Sequence, residues 1–543
     1  MCAARQLIGI LDVVQEFRQL SAEEIQLRRD LKLRFLGMAV VEKLRCKQAS
    51  RMTSIRATEA NTKLFYLQAK GRKRKIFISE LQEGSTTLRS HGDKEGCLLN
   101  HFSKLFSPPP SRAETLNWEN LGLPHVNLDH LEEEFSEEEI HAVVKELKSD
   151  KAPGPDGFIG IFYKSCWGII KEDLKATINF FYAQHDQHFK RLNSAHVVLI
   201  PKKSDAICAG DYRPISLTHS VAKLVSKLMA NRLAGSLDLL VSRAQSAFIK
   251  RRSIHDNFLY TQNLIKELHR AKYPALFLKL DIAKAFDSVR WDYLLEVLTQ
   301  MGFGAKWRSW VSILLGSTSS AVFLNGARGK WFKHWRGLRQ GDPLSPMLFI
   351  LAMEPLQRLL ELAATNGAIT QVAHRSAKLR ISMYANDAAI FLNPILEEVR
   401  EVAYILSVFG NASGLLVNVA KSACFPIRCE DLDLHHTLQF FNCPIESFPC
   451  TYLGLPLHYR KLGRVEVQPL IEKVEARLPT WKGRLLNKAG RLRLVNAVLT
   501  SIPVHFLTVF PLRKWAIKKI DRVRRRFLWK GAVDANGGHC LVR

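Results

Sequence analysis

Long uninterrupted apolar runs are scarce in this chain of 543 residues. The most apolar stretch, Leu494 to Leu512, is broken by Asn496, Pro503, His505 and Pro511, which excludes it as a membrane span. A lipidation signal and a basic amphipathic anchor are missing too, so no membrane partner is expected. The N-terminal residues lack the pattern of a secretory signal; the expected location is intracellular, nucleus or cytoplasm, and not secreted. Paired cysteine motifs are also lacking. The ten cysteines include no C-x-x-C, and Cys424 with Cys429, or Cys443 with Cys450, are wrongly spaced for a zinc ribbon. Zinc is therefore not expected, and the thiols should be reduced and mostly buried. No repeat of solenoid period is visible.

Negative charge is in short supply as well. Against 79 lysines and arginines stand 51 aspartates and glutamates, a net charge of +28 and a pI near 9.8. Such an imbalance points to a polyanionic partner, nucleic acid before anionic membrane. The hydrophobic fraction of 47% is ordinary for a globular protein, and the length suffices for two or three domains with full cores.

From Glu23 to about Leu81 the sequence is helical in character and basic, and Asn61–Tyr66 leads into Gly71-Arg72-Lys73-Arg74-Lys75. That run reads equally as a solvated helix face or as nucleic-acid contact, and the same cations suit a nuclear-localisation signal. Pro108-Pro109-Pro110 between Ser107 and Ser111 marks a linker. Ser136 and Glu139 form a capping box, with Phe135 and Ile140 as its hydrophobic staple, so a helix starts there and ends before the rigid turn Ala152–Phe158. His196 to Lys203 reads as a strand ending in cations, followed by the loop Asp211–Leu217 and a long amphipathic helix through Arg232. Further on come a helix near Val399–Phe409, a turn at Ser413–Leu415, a strand reaching Lys421 and a short hairpin at Pro449–Pro456. From Trp481 to Lys530 a long series of cations, Lys482, Arg484 and Arg491 among them, faces the single acid Asp521, with Trp481, Trp515 and Trp529 interleaved. So lopsided a helical segment favours nucleic-acid contact over a merely solvated face.

The chemistry concentrates in three stretches. Ile381-Ser-Met-Tyr-Ala-Asn-Asp-Ala-Ala-Ile-Phe391 holds two strand-favouring runs around a polar kink at Asn386–Asp387. Alone, it would be an ordinary surface hairpin. Upstream, Leu276 to Asp287 contains a buried strand ending on Asp281, and between the two lies Arg336 to Pro346, a Gly/Pro-rich loop opening a helix. Hard carboxylate oxygens on neighbouring strands suit Mg²⁺. Two divalent ions, with groups that hold a triphosphate in line, are what nucleotidyl transfer requires. Lys202 and Arg213 are candidate phosphate clamps, although without the acids each would read as a surface charge.

These stretches occur in a recognisable order. Ala152-Pro-Gly-Pro-Asp-Gly-Phe158, Leu199-Ile-Pro-Lys202, Tyr212-Arg-Pro-Ile-Ser216, Gln245-Ser-Ala-Phe248 and Asp281 with Phe286 come first. Arg339-Gln-Gly-Asp-Pro-Leu-Ser-Pro346, Tyr384-Ala-Asn-Asp387, Ser413-Gly-Leu415, Lys421-Ser422 and Tyr452-Leu-Gly-Leu455 follow. Together they resemble the reverse transcriptase of non-LTR (LINE-type) retrotransposons, most closely the plant kind, from about Asn61 onward. The resemblance implies a mixed α+β, right-hand polymerase fold: fingers, a palm whose antiparallel sheet carries the acids, and a helical thumb. The expected division is 1–107 for a basic helical N-terminal extension, 108–128 for a linker and 129–192 for the N-terminal part of the fingers. Residues 193–457 are expected as fingers and palm, 458–532 as the basic thumb and 533–543 as a truncated tail.

The resemblance also implies an RNA-directed DNA polymerase that copies an RNA template onto a DNA primer from dNTPs, with two Mg²⁺ ions or Mn²⁺ in their place. Asp281 and Asp387 match the metal-binding acids, and the backbone at Ile282 matches a carbonyl ligand. Phe286 matches the ring that screens out a ribose 2′-OH, and Gln340 the contact to the incoming sugar. Lys202 and Arg213 match the residues that hold the triphosphate, and Lys421 lies in the motif that assists the leaving pyrophosphate.

Three departures from the pattern matter. The family hairpin reads Tyr-Ala-Asp-Asp, and here Asn386 replaces the first acid, keeping an oxygen acceptor but losing the charge. One charge about 4 Å from a dication, at an effective dielectric near 20, is worth roughly 8 kcal/mol before solvation offsets it. Half of that slows a reaction by about a thousandfold, so a correctly folded polymerase with little or no activity is expected. The endonuclease domain that precedes the polymerase in the family is absent, and the chain stops at Arg543 where related chains continue, so a fragment is expected. The alternative reading is a catalytically dead RNA- or DNA-binding remnant. A group II intron maturase fits less well, because Arg339–Pro346, Tyr452–Leu455 and the Trp481 region match LINE chains better.

Overall fold

The computed structural model describes residues 2–531, apart from 57, 113, 184–185, 373–378, 442 and 478–479; the expected tail 533–543 lies outside the described residues. The chain divides into two units, Ile78–Lys461 and a second made of Met1–Phe77 with Leu462–Arg543. All named strands lie in the larger unit. A short hairpin of β1 (Leu81–Glu83) and β2 (Thr86–Leu88) comes first. It is followed by β3 (Ser194–Pro201), β4 (Tyr212–Thr218), β5 (Ala275–Asp281), β6 (Ser319–Leu324), β7 (Ala327–Lys333), β8 (Ile381–Tyr384), β9 (Asp387–Leu392) and β10 (Ala423–Ile427). A second hairpin, β11 (Cys450–Tyr452) and β12 (Leu455–Leu457), stands at the expected Pro449–Pro456 position.

Two four-stranded sheets result. In the order β4-β3-β6-β7 the first is antiparallel except for the β3–β6 pair. Its strands alternate: Ala195, Val197 and Leu199 are buried, while His196 and Val198 are partly exposed and Ile200 is exposed. That pattern covers one face only. The covered face packs on helix His91–Leu105 and its cap through Leu98, Phe102 and Phe106.

The second sheet, β10-β5-β9-β8, is wholly antiparallel. Here β5 and β9 are near-continuous apolar runs, the pattern of strands covered on both sides. Its core includes helices Trp291–Gln300, Ser345–Thr365 and Leu396–Ser413. The Ser345 helix has Pro346 in its first turn, where a missing N–H is harmless, and Asp342 accepts from the N–H groups of Leu344 (3.0 Å) and Ser345 (3.1 Å). The expected capping box at Ser136 is present and starts helix Glu137–Glu146, with Phe135 and Ile140 both buried.

Several expectations change. The segment 108–128 is a packed strap instead of a linker. Leu116, Leu121 and Leu128 enter the main core, Arg290 donates to the Pro110 carbonyl (2.8 Å), and the Trp118 indole donates to Glu296 (3.2 Å). Its leucines supply the anchorage that the proline run obscured. Residues 78–107 join the larger unit through Ile78, Leu81 and Phe102, so the N-terminal extension ends at Phe77. The strand expected to reach Lys421 is a 3₁₀ turn, Val419–Lys421, because the Asn418 backbone N–H is committed to the Asp281 carbonyl (2.7 Å).

In the smaller unit, helices Cys2–Phe17, Ala22–Ser50 and Thr62–Ile76 join a C-terminal helical set. Ala60 bridges to Leu486, and the Asn61 N–H donates to the Leu485 carbonyl (3.1 Å). A Cβ on Gly490 would stand 2.3 Å from the Glu59 carbonyl, so that approach requires glycine. The basic segment is helical, as several helices with breaks at Pro503 and Pro511. Its last helix, Lys514–Lys530, buries Ala516, Ile520, Val523 and Phe527 along one stripe and turns its cations outward. Among the described residues no helix is long and apolar enough to cross a membrane.

Candidate active site

The acid end of β5 meets the acid start of β9. Asp281 and Asp387 are cross-strand partners, which places their side chains on the same face as neighbours. Burial pushes the Asp387 carboxyl above its ordinary range, Asp281 adds to the push and Lys279 opposes it. The Lys279 ammonium is itself held by the Thr451 carbonyl (2.8 Å). Asp281 is fixed from three sides: its N–H donates to Ser422 Oγ (3.1 Å), its carbonyl accepts from the Asn418 N–H (2.7 Å), and its Oδ2 accepts from Asn418 Nδ2 (3.2 Å).

The hairpin turn sits one residue earlier than expected. Tyr384 pairs with Asp387, so the two-residue loop is Ala385–Asn386, and Asp387 already belongs to β9. Ala385 takes a left-handed φ of 55°, as the first central residue of a tight hairpin must. Fully buried Gln245 clamps it, accepting from the Ala385 N–H (2.9 Å) and donating to the Ala385 carbonyl (3.2 Å). Asn257 braces the preceding strand, donating to Ser382 Oγ and to the Met383 carbonyl (both 2.9 Å). Ile282, next to Asp281, has a buried side chain and bridges to Val417.

Phe286 is half-buried and stacks on Phe349 with centroids 4.6 Å apart. Gln340 is held by Asp287, donating from Nε2 to its two oxygens at 3.0 and 3.3 Å. Asp287 is 7% exposed, and burial pushes its carboxyl up to about 6, against the Gln340 hydrogen bond and the fields of Lys202 and Lys284. Gly337 makes this packing possible. Its φ is 83°, and a Cβ there would stand 2.7 Å from the Asp287 carbonyl.

Lys202, Arg213 and Lys421 come together as well. Burial lowers the Lys202 pKa, Asp287 raises it, and Lys421 and Arg213 lower it further. Lys202 Nζ donates to the Gly210 carbonyl (2.8 Å), while Arg213 and Lys421 are exposed. One fold region thus holds a carboxylate pair, a half-buried aromatic ring, a glutamine on a fixed carboxylate and a cluster of cations.

The remaining candidates lie in the smaller unit. Arg72, Lys73, Arg74 and Lys75 are exposed at the end of helix Thr62–Ile76. Trp481 and Arg484 are exposed on helix Thr480–Leu485, and Lys482 has its pKa lowered by burial, then by Arg477 and Lys75. Two basic stretches some four hundred residues apart therefore share one field. Arg491 departs from its expected role as a nucleic-acid contact, because it donates to the carbonyls of Gly483 (3.0 Å) and Trp529 (3.2 Å) and ties helices together.

Sequence reasoning assigned no role to Gln245, Asp287, Asn418 or Asn257. Gln245 and Asp287 lie inside or beside stretches already singled out, yet their partners are distant in sequence. Nothing local marks Asn418 or Asn257.

A family model of reverse transcriptases (RNA-dependent DNA polymerases) matches residues 200–457, a span that contains both acids, the hairpin, Gln340 and the cations Lys202, Arg213 and Lys421. The chain carries a reverse transcriptase domain. Its fold is the right-hand polymerase fold, and the relatives it is similar to are proteins of transposons and retrotransposable elements. A Xenopus laevis relative, the transposon TX1 uncharacterized 149 kDa protein, is 27% identical over 504 residues, covering 90% of this chain and 38% of the relative. The Pol polyprotein from the type-1 retrotransposable element R2 of Nasonia vitripennis is 32% identical over 220 residues, 40% of this chain and 21% of the relative. That of the type-2 element R2DM of Drosophila melanogaster is 26% identical over 429 residues, 74% of this chain and 38% of the relative. The reverse transcriptase chain thus spans less than two fifths of the length of these relatives.

Proposed function

We propose that the chain is a polymerase that extends a DNA primer along an RNA template, and that Asn386 leaves it impaired. The observation that carries the reading is the direct opposition of Asp281 and Asp387 at one end of a buried sheet. Burial and a second acid raise the Asp387 carboxyl, the condition of a carboxylate pair short of positive charge, and a divalent cation would relieve it. Among the described residues no cluster of three His, Cys, Asp or Glu side chains could hold a metal. The donors are then two carboxylates with the Ile282 carbonyl and the Asn386 amide oxygen, a hard-oxygen set that suits Mg²⁺ in type and lacks one charge. When bound, such ions would activate the primer 3′-hydroxyl and stabilise the leaving pyrophosphate.

The chain's own residues would do the positioning. Lys202 and Arg213 would hold the triphosphate, and Lys421 would assist the pyrophosphate. Phe286, backed by Phe349, would fill the space of a ribose 2′-OH, and Gln340, oriented by Asp287, would meet the sugar. The basic helices within 458–532, as thumb, and Arg72–Lys75 would grip the template–primer duplex. The described cysteines are all free thiols, which supports action inside the cell.

Primer extension on an RNA template with Mg²⁺ or Mn²⁺, comparing the natural chain with Asn386→Asp, tests the reading. The variant should be far faster; equal, robust activity in both would remove the claimed impairment. A second reading, a non-catalytic nucleic-acid-binding protein, is favoured by Asn386 itself. Affinity that survives Asp281→Ala, with no extension by any variant under either metal, would establish it.

A further inference from the structure

One buried carboxylate outside the acid pair has no part in the proposed chemistry. Glu354, in helix Ser345–Thr365, is fully buried, and burial pushes its carboxyl up to about 7 against the Ser242 hydrogen bond and the field of Arg358. An acid in an apolar core carries a penalty unless its partners offset it. Its Oε2 accepts from the Ser242 backbone N–H (3.1 Å), and the Arg358 guanidinium stands 3.3 Å from Oε1. Arg252, from the polar stretch before helix Ile254–Arg270, reaches the same segment. It donates to the carbonyls of Val241 (2.8 Å), Ser242 and Gln245 (2.7 Å), and it pairs with Asp238 at 2.7 Å. A planar guanidinium that spans three carbonyls fixes their spacing, which a single ammonium does not.

The segment 241–246 held in this way lies along β8, the strand that ends the sheet order β10-β5-β9-β8. The Met383 N–H donates to the Ala244 carbonyl (2.7 Å), and the Ser246 N–H donates to the Met383 carbonyl (3.2 Å). Gln245 is thereby bridged to Met383 in the parallel sense, and the edge of β8 is closed at that point. Asn257, five residues after Arg252, donates to the Ala244 carbonyl too (3.1 Å). From here the Gln245 side chain bonds the N–H and the carbonyl of Ala385, next to Asn386. Contacts therefore run without a gap from Glu354 and Arg252, through Ser242 and Gln245, to the turn between the two strands of the hairpin.

We propose that Arg252 and Glu354 are positioning residues: they grip segment 241–246 by its carbonyls and its Ser242 N–H, so that Gln245 fixes the turn presenting Asn386 and Asp387. The catalytic consequence rests on the polymerase reading; the grip does not. Amide hydrogen exchange of the full chain, followed by mass spectrometry on peptides covering 381–391 and on peptides covering β6 and β7, tests it. Arg252→Met and Glu354→Met keep side-chain bulk and remove the hydrogen-bonding groups. Each should speed exchange in 381–391 by about tenfold or more and leave β6 and β7 unchanged. Glu354→Gln retains an oxygen for the Ser242 N–H and should keep the hairpin protected. Arg252→Lys, which cannot span three carbonyls, should speed exchange in 381–391 as well. In an Asn386→Asp chain, either methionine variant should lower kcat of primer extension by about a hundredfold with KM for the nucleotide little changed, because a displacement of about 1 Å suffices.

Unchanged exchange in 381–391 overturns the proposal. So does equal acceleration in β6 and β7, the result expected if the two residues only stabilise the fold. Exchange in Glu354→Gln as fast as in Glu354→Met removes the Ser242 contact as the cause and overturns the role of Glu354. An inactive Asn386→Asp chain would sink the polymerase reading, and the exchange result would still decide the grip.

Discussion

The two four-stranded sheets of the larger unit handle charge in opposite ways. The β10-β5-β9-β8 sheet is apolar along its length and confines its two acids, Asp281 and Asp387, to one end. The β4-β3-β6-β7 sheet has no acid in its strands, buries one face on helix His91–Leu105 and leaves the other to cations and rings. In a sheet covered on both sides a carboxylate is least costly where its strands end, and even there desolvation raises the Asp387 carboxyl. A sheet covered on one side can spread cations across its open face at little cost. The difference suits a polymerase, which needs concentrated negative charge for ions and dispersed positive charge for nucleic acid.

The largest expected effect tests the acid sheet. Asn386→Asp should raise the rate of primer extension by about a thousandfold, and adding Asp281→Ala should return it to background. Next comes the contrast between the two faces of the cation sheet. Phe102→Ala, under the closed face, should destabilise the fold by about 3–4 kcal/mol in denaturant unfolding. Trp331→Ala, on the open face, should cost less than about 1 kcal/mol; equal losses would erase the distinction.

Asp287 sharpens the comparison, as a carboxylate sealed in near the cations instead of at the sheet end. Its carboxyl is raised to about 6, so the folded state holds its proton more tightly than the unfolded chain does. The penalty for ionising it is absent below about pH 4, grows to about pH 6 and is complete above. Asp287→Asn should therefore stabilise the protein by about 2–3 kcal/mol at pH 7.5 and by almost nothing at pH 4. A pH-independent difference in unfolding free energy would refute this. The last test concerns the hairpin clamp. Gln245→Ala leaves the Ala385 amide and carbonyl without their partner and should cost about 2 kcal/mol, read as a fall in the unfolding midpoint.

Local signals foretold some of the elements that bear the chemistry, whereas the loop expected at Asp211–Leu217 is strand β4 and the strand expected at Lys421 is a 3₁₀ turn. The apolar run ending at Asp281, the capping box at Ser136 and the short hairpin around Tyr452–Leu455 all stand where periodicity and turn chemistry put them. Gly414, in the Ser413–Leu415 turn, ends its helix with a φ of 81°. The hairpin loop was displaced by one residue because turn propensity favoured Asn386–Asp387, whereas Gln245 holds Ala385 in the left-handed position.

The sequence by itself determined the order of the motifs, the excess of positive charge and the amide at Asn386 beside Asp387, since each is a property of residues within a short window or of their sum. Tertiary structure alone decided the partners: Gln245 on a turn 140 positions away, Asp287 under Gln340, Arg491 drawn inward as a brace, and the leucines of 108–128 packed into the core. A hydrogen bond or a desolvated charge depends on which distant segments meet. No local pattern encodes that meeting.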